Sequence, residues 1–281
     1  MDDPSYDRIV AAARAETRRL VEVERSGAQA LVRLNDPARL NALSAPLTVQ
    51  LLEALRALAA DPAVRAVVIT GADPAFSAGG DLRMMEEDAH PMVDRDADGA
   101  TNAWRWIRYQ FGGIVRAIAQ SDTVFVAAVN GAAAGVGLAI ALACDVIVVS
   151  EQARIVPAFG RIGLLPEVGT SWLLTRRLGY QRAFAFFLGG RILPGREAVE
   201  AGLANEVVPH GELLASARRW AERAATLPAH AVTMTKPLLR ACADLTWDQA
   251  IAMEEFAEPM CFTTQAHRDA VRSLRARDGR A

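Results

Sequence analysis

Cysteine, histidine and aromatic residues are all scarce in this 281-residue sequence, and each scarcity narrows what the protein can be. The three cysteines (Cys144, Cys242 and Cys261) show no CxxC spacing and stand among apolar neighbours. They read as buried free thiols rather than reactive or metal-bound ones. The four histidines are scattered, so no metal site is expected. Aromatics make up 6% while alanine, leucine and valine abound, which favours mixed α/β packing over a β-sandwich. A formal charge of −2 and a pI near 6.1 supply no field that would hold nucleic acid, although local basic groups can still grip a small anion. No run reaches the roughly 18 apolar residues needed to span a bilayer. The first twenty residues are acidic before they are basic and lack the apolar stretch of a signal peptide. The expected location is therefore the cytoplasm, with no membrane partner.

What is present is a globular composition, 52% hydrophobic and 23% charged, long enough for one sizeable domain with a smaller appendage. Residues 4–20 space their apolar side chains as an amphipathic helix, and 20–34 alternate around Ser26-Gly27 as a hairpin. A helix follows over 45–60, with Ser44 as its N-cap and Pro46 in its first turn. The all-apolar AVVIT (66–70), VFVAAV (124–129) and DVIVVS (145–150) read as strands covered on both faces. Helical segments between them predict βαβ units and a mainly parallel sheet. From about residue 167 the pattern turns helical: 167–178, 180–188, 195–201, 211–226 and 229–241, with one short strand in ANEVV. A last helix over 246–278 is expected to break near Pro259 and His267. The acidic segment 86–102 reads as a mobile loop or lid. The sequence contains no internal repeat.

Three glycine-rich junctions lie at the ends of apolar strands, where open α/β sheets place ligands. In AFSAGGDL (75–82), Gly79 and Gly80 allow close backbone approach, and Asp81 can cap the helix that follows. An ordinary strand-to-helix turn has the same composition. In AAVNGAAAGVGLAIALACDVIVVS (127–150), small residues let a helix start against the sheet with its N–H groups exposed, or merely pack tightly. The segment has neither the lysine of a P-loop nor the spacing of a dinucleotide fingerprint. Together the first two suggest a pair of backbone donors converging on one oxygen, as an enolate requires. The third, GLLPEVGTSWLL (163–174), holds a single acid, Glu167, among apolar neighbours that would raise its pKa. The same residue could instead stabilise a helix N-terminus from its first turn.

RLNDPARLNAL, AVVITGADPAFSAGGDL, VAAVNGAAAGVGLAIALACDVIVVS, RIGLLPEVGTSWLLTRRLG and EAVEAGLANEVV resemble successive blocks of the crotonase (enoyl-CoA hydratase/isomerase) superfamily, over roughly residues 19–278. The resemblance implies an α/β fold built as a spiral of ββα units with a helical C-terminal trimerisation region. Its divisions would be an N-terminal helical extension (1–18), a core (19–210) and a C-terminal helical region (211–281). It also implies self-association as a trimer or a dimer of trimers. It places the two oxyanion-binding amides at Gly80 and Val136. Contacts to the coenzyme A part of an acyl-CoA thioester would come from Arg39, Leu40, Ala78, Asp81, Leu82 and Lys236, with no further cofactor. Arg39 and Lys236 are equally readable as solvated surface cations.

The two glutamates of the family's hydratases fall on Ala139 and Phe159, and neither side chain can move a proton to or from water. The acid of its isomerases falls on Glu167. The expected activity is thus a double-bond shift from 3-enoyl-CoA to 2-enoyl-CoA. Ring expansion of epoxidised phenylacetyl-CoA, enoyl-CoA hydration and non-catalytic acyl-CoA binding are the alternatives. Trp104, Trp106, Tyr109 and Phe111 are expected either in the acyl pocket or in the core.

Overall fold

The computed structural model describes residues 4–86 and 97–278, and two compact units divide the chain at Glu222/Arg223. In the first unit, helix α1 (Pro4–Arg14) precedes a hairpin of β1 (Val21–Ser26) and β2 (Gln29–Leu34). Helix α1 stops earlier than its apolar pattern suggested. Arg18 and Glu16 close onto each other instead, through the Arg18 N–H and guanidinium. Helix α2 (Ala45–Ala60) starts where its cap does, the Ser44 hydroxyl accepting from the Leu47 N–H at 3.5 Å.

Three long strands then alternate with three short ones. Each long strand is followed after a tight corner by a short partner: β3 (Ala66–Gly71) by β4 (Ala75–Ser77), β5 (Val124–Val129) by β6 (Ala132–Ala134), β7 (Val146–Ser150) by β8 (Arg154–Val156). Helices α3 (Ala97–Arg105) and α4 (Gly112–Ala119), joined by a π-helical turn over Trp106–Phe111, connect the first pair to the second. Helix α5 (Gly135–Ala143) connects the second to the third. Helices α6 (Thr170–Leu178) and α7 (Tyr180–Gly189), strand β9 (Leu193–Pro194), helix α8 (Gly195–Glu200), strand β10 (Glu206–Val208) and helix α9 (Leu213–Thr226) complete the run.

The hairpin, the three long strands and the three-residue β10 form a six-stranded sheet of order β1-β2-β3-β5-β7-β10, parallel from β2 onward. The short partners and β9 form a second sheet of order β4-β6-β8-β9. This is the crotonase-like spiral of ββα units, a structural repeat with no counterpart in the residue pattern. The four strands of the second sheet, two or three residues each, escaped the sequence reading, whereas the equally short β10 was read from ANEVV. Every residue of β3 is buried, and the core fills the space between the large sheet and α1, α2, α4 and α5.

The second unit carries α10 (Ala229–Cys242), α11 (Trp247–Phe262) and α12 (Gln265–Asp278). Thr246 and Gln249 form a reciprocal capping box at the start of α11. Pro259 does not break this helix. The interruption falls at Thr263–Thr264, where the Thr264 hydroxyl donates to the Cys261 carbonyl and accepts from the His267 N–H, ending one helix and starting the next. Cys144 is buried as expected, but Cys242 and Cys261 are only half-buried. Of the segment expected to be a mobile loop, residues 87–96 lie outside the described residues, and 97–102 are helical.

Buried polar side chains hold the corners between sheets. Asn41 sits in the left-handed region at φ 54°, which asparagine tolerates better than most residues. Its amide donates to the Ala72 and Ala75 carbonyls at 2.7 and 2.6 Å and accepts from the Asp36 N–H at 2.9 Å. Asn130 spans the same corner, accepting from Gly71 N–H and donating to Asp73 and Ala75. Replacing Asn41 by alanine takes a partner from the part-buried Ala72 carbonyl and the buried Asp36 N–H, while the Ala75 carbonyl keeps Asn130, at about 1–3 kcal/mol for each group left unpaired. Asn41→Ala should therefore lower the unfolding free energy by about 2 kcal/mol or more, read from the urea midpoint at unchanged slope.

Candidate active site

Beyond β4 the chain runs extended past Leu43. The Leu43 N–H donates to the Gly79 carbonyl at 2.7 Å, and the Asp81 N–H donates to the Leu43 carbonyl at 3.4 Å. Both bonds use the neighbours of Gly80. In an extended chain successive groups alternate in direction, so Gly80 turns its own N–H away from Leu43, on the side where the residue lines a cleft. Val136 reaches that cleft as the second residue of α5. The first N–H groups of a helix have no intrahelical acceptor, and the preceding Ala134 has no side chain to cap them.

The glycines around these amides serve the protein's own backbone. A Cβ on Gly79, at φ 94°, would lie 2.8 Å from the Ala134 carbonyl oxygen and 3.3 Å from the Gly135 Cα. One on Gly137 would lie 2.7 Å from both the Cβ and the carbonyl oxygen of Ser77. Gly79 thus clears space for the start of α5, not for a ligand as its place in the motif suggested. The same contact brings the Gly80 and Val136 segments together. The Ser77 hydroxyl secures the bend, accepting from the Gly79 N–H at 3.2 Å and donating to the Asn41 carbonyl at 2.8 Å.

The cleft has two chambers, of about 430 and 350 Å³, whose shared wall contains Gly80, Asp81, Met85, Leu164 and Glu167. The smaller also takes in Arg39, Ala78, Leu82 and Val136. Seven of the nine site residues expected from the sequence therefore line it. Leu40 lies beside it, and its carbonyl accepts the Ala78 N–H at 2.9 Å. Lys236 belongs to α10, in the second unit. The larger chamber is walled by Met84, Ala103, Trp106, Ile107, Phe111 and Leu165. Trp106 and Phe111 are thus pocket residues. Trp104 and Tyr109 are exposed and pack with Arg108 outside this wall. Met84, Met85 and Ile107 fall within residues 83–115, where the weakest-matching part of the chain was expected to build the acyl pocket. They were not singled out by name, because single apolar side chains carry no sequence signal. Leu165 was expected only as an apolar neighbour of Glu167.

Two carboxylates share the wall and differ in surroundings. Burial disfavours ionisation of Asp81, but Arg83 outweighs it. Its guanidinium grips both carboxylate oxygens, at 3.1 and 2.5 Å, and its N–H adds a third bond, holding Asp81 below the usual carboxylate range. Arg39 stands 4.0 Å from Asp81 and 3.9 Å from Asp36. Glu167 has no such partner among the described residues, and burial alone pushes its pKa up to about 7. It precedes α6 rather than lying in its first turn, in a bend closed by its own carbonyl accepting from the Thr170 N–H. The next residue, Val168, is held at φ 47°. That conformation costs a β-branched side chain roughly 1–2 kcal/mol, offset here by its packing against the core. At the two positions where a hydratase of the resembled family carries glutamates, Ala139 is fully buried in α5 and Phe159 lines the smaller chamber.

Residues 24–276 match the family described as enoyl-CoA hydratase/isomerase. The chain is 34% identical over 255 residues to a Thermus thermophilus protein named as an enoyl-CoA hydratase, covering 91% of this chain and 97% of that one. It is 30% identical over 247 residues to the 1,2-epoxyphenylacetyl-CoA isomerase of Escherichia coli, covering 87% and 90%. Among solved structures, an enoyl-CoA hydratase/isomerase from Mycobacterium abscessus superposes with a TM-score of 0.83 at 32% identity, over 92% of this chain and 96% of the other. The names of these relatives span water addition and isomerisation.

Two outcomes follow from the geometry. Gly80→Ala meets only the flexible end of Met85, at 3.2 Å, and should keep the stability within about 1 kcal/mol, whereas Gly137→Ala meets backbone and should cost about 2–4 kcal/mol in the same urea titration. Glu167 holds its proton to a higher pH when folded, so its contribution to stability is complete below about 4.5 and is lost as pH rises through about 7. Glu167→Gln removes that loss. Its melting temperature relative to the unmodified protein should rise between pH 5 and 8 and then level off.

Proposed function

The chain belongs to the enoyl-CoA hydratase/isomerase family, and from that premise we propose that it shifts the double bond of a 3-enoyl-CoA to the 2-position. The observation that carries this reading is the solitary Glu167. It is the one carboxylate on the shared wall without a cation beside it, raised to a pKa of about 7, where a base is both available and strong. As carboxylate it takes a proton from the α-carbon of the thioester, and the electron pair left behind spreads over the double bond and the carbonyl. The Gly80 and Val136 N–H groups receive the charge that collects on the thioester oxygen, each such donor being commonly worth about 2.7–4 kcal/mol of barrier. The carboxylic acid so formed returns its proton at the γ-carbon, which regenerates the base and leaves the 2-enoyl product. Proton and charge balance within the site.

Water addition asks for more. One group has to activate the water and another to deliver the α-proton, and Ala139 and Phe159 do neither. Arg39, between Asp36 and Asp81 at the rim of the smaller chamber, is suited to a phosphate of the coenzyme A moiety. Coenzyme A enters only as part of the substrate. The exposed Leu239, Trp247 and Phe256 of the second unit are apolar surface suited to self-association as a trimer or a dimer of trimers.

Incubation with a 3-enoyl-CoA in heavy water should give 2-enoyl-CoA, with partial label at the α- and γ-carbons. Glu167→Gln should lower this turnover at least a hundredfold while leaving thioester affinity nearly unchanged. Crotonyl-CoA should remain essentially unhydrated. Near-normal isomerisation by the folded variant, or hydration on the order of 10³ s⁻¹, would sink the reading.

A further inference from the structure

The larger chamber has a wall that an ordinary helix would not provide. Trp106 and Phe111 are five residues apart, and in an α-helix such side chains point about 140° from one another. The turn between α3 and α4 is π-helical, with each N–H reaching back five residues, so residues at that spacing come to lie on one side. The two rings accordingly meet edge to face, with centroids 6.0 Å apart and planes at 82°, and both line the chamber with Ile107 between them in sequence. Met84 and Met85, whose thioethers adapt to aromatic partners, stand on the same lining. The polar side chains among the described lining residues, Asp81 and Glu167, both lie on the wall shared with the other chamber. Among the described residues, the remaining lining offers no hydrogen-bonding side chain except the Trp106 indole N–H, which is itself buried.

Size points the same way. An apolar cavity of about 150 Å³ suffices to hold benzene, and this chamber measures about 430 Å³. It is far larger than a four-carbon acyl group needs, and it has room for a ring together with the short linker that would carry it to Glu167. Aromatic walls reward a flat ring beyond the area it buries, because edge-to-face and offset stacking add to simple burial.

We infer that the protein selects thioesters whose acyl group ends in an unsubstituted apolar ring, and that Trp106, Ile107 and Phe111, set by the π-helical turn, determine this specificity. The inference rests on the acyl-CoA reading proposed above, but its test involves no proton transfer. Saturated thioesters are titrated calorimetrically into the full chain: phenylacetyl-CoA and octanoyl-CoA, which share an eight-carbon acyl group, adipyl-CoA, which ends in a carboxylate, and free coenzyme A. Phenylacetyl-CoA is expected to bind at least tenfold more tightly than octanoyl-CoA, and adipyl-CoA no better than free coenzyme A. Ile107 is partly exposed, so Ile107→Trp should fold while filling the chamber. It should remove the gain from the phenylacetyl group and leave free coenzyme A binding unchanged. Phe111→Leu, which keeps the wall apolar but removes a ring, should bring the ratio of phenylacetyl- to octanoyl-CoA affinity close to one. Equal or tighter binding of octanoyl-CoA, or an unchanged phenylacetyl-CoA affinity in both variants, overturns the inference. Failure of every thioester to bind better than free coenzyme A overturns the acyl-CoA reading with it, whereas ring preference without turnover would overturn only the isomerase.

Discussion

Where the chain leaves the long sheet to join the short one, its backbone groups must quit one hydrogen-bonded ladder before entering another. For the groups that the corner buries, as at Gly71 and Ala75, other polar groups of the protein must complete the exchange. Asn41 and Asn130 fill that gap at the first corner, between them engaging Gly71, Ala72, Asp73 and Ala75. Ser150 adds a tie between corners, its hydroxyl donating to the Asn130 carbonyl at 2.9 Å. The direction of β4 depends on these bonds. So does the position of Gly79 against Gly135, and with it the spacing of the two amides at the cleft. A rigid scaffold thus delivers two backbone N–H groups whose geometry no side chain adjusts.

The carboxylates on the shared wall show how neighbours rather than residue type set acidity. Asp81 and Glu167 are both partly desolvated, but only Asp81 has a guanidinium locked onto both oxygens. Desolvation therefore prevails at one and hydrogen bonding at the other, and the two are driven apart on opposite sides of their ordinary values. The strained Val168 beside Glu167 fits the same picture, since an unfavourable backbone persists only where surrounding packing over-determines it.

The large elements could be read from the chain because their signals are long. AVVIT, VFVAAV and DVIVVS are continuous apolar runs, and Ser44 with Pro46 marks a helix start that the structure reproduces. The ordered family blocks placed the Gly80, Val136 and Glu167 segments around one cleft. Features that depend on contacts distant in sequence stayed hidden. Asn41 is one polar residue between Leu40 and Ala42, and nothing local says that its amide faces carbonyls some thirty residues on. The π-helical turn over WIRYQF has an ordinary helical composition, so neither the wider turn nor the pairing of Trp106 with Phe111 could be foreseen. Pro259 was over-weighted as a breaker: a helix tolerates proline where neighbouring groups absorb the lost bond, and hydroxyl competition at Thr263–Thr264 ended it instead.

The common wall between the chambers also has a consequence for ligand design. A molecule that occupies both loses its freedom of overall motion once, yet collects the contacts of two compartments. Its second half arrives at an effective concentration set by the linker rather than by the solution. Fragments found separately for the chamber that takes in Arg39 and for the aromatic one would gain most when joined through a group that passes the shared wall at Gly80 and Glu167. A tether too short to span the shared wall would forfeit the advantage of linking.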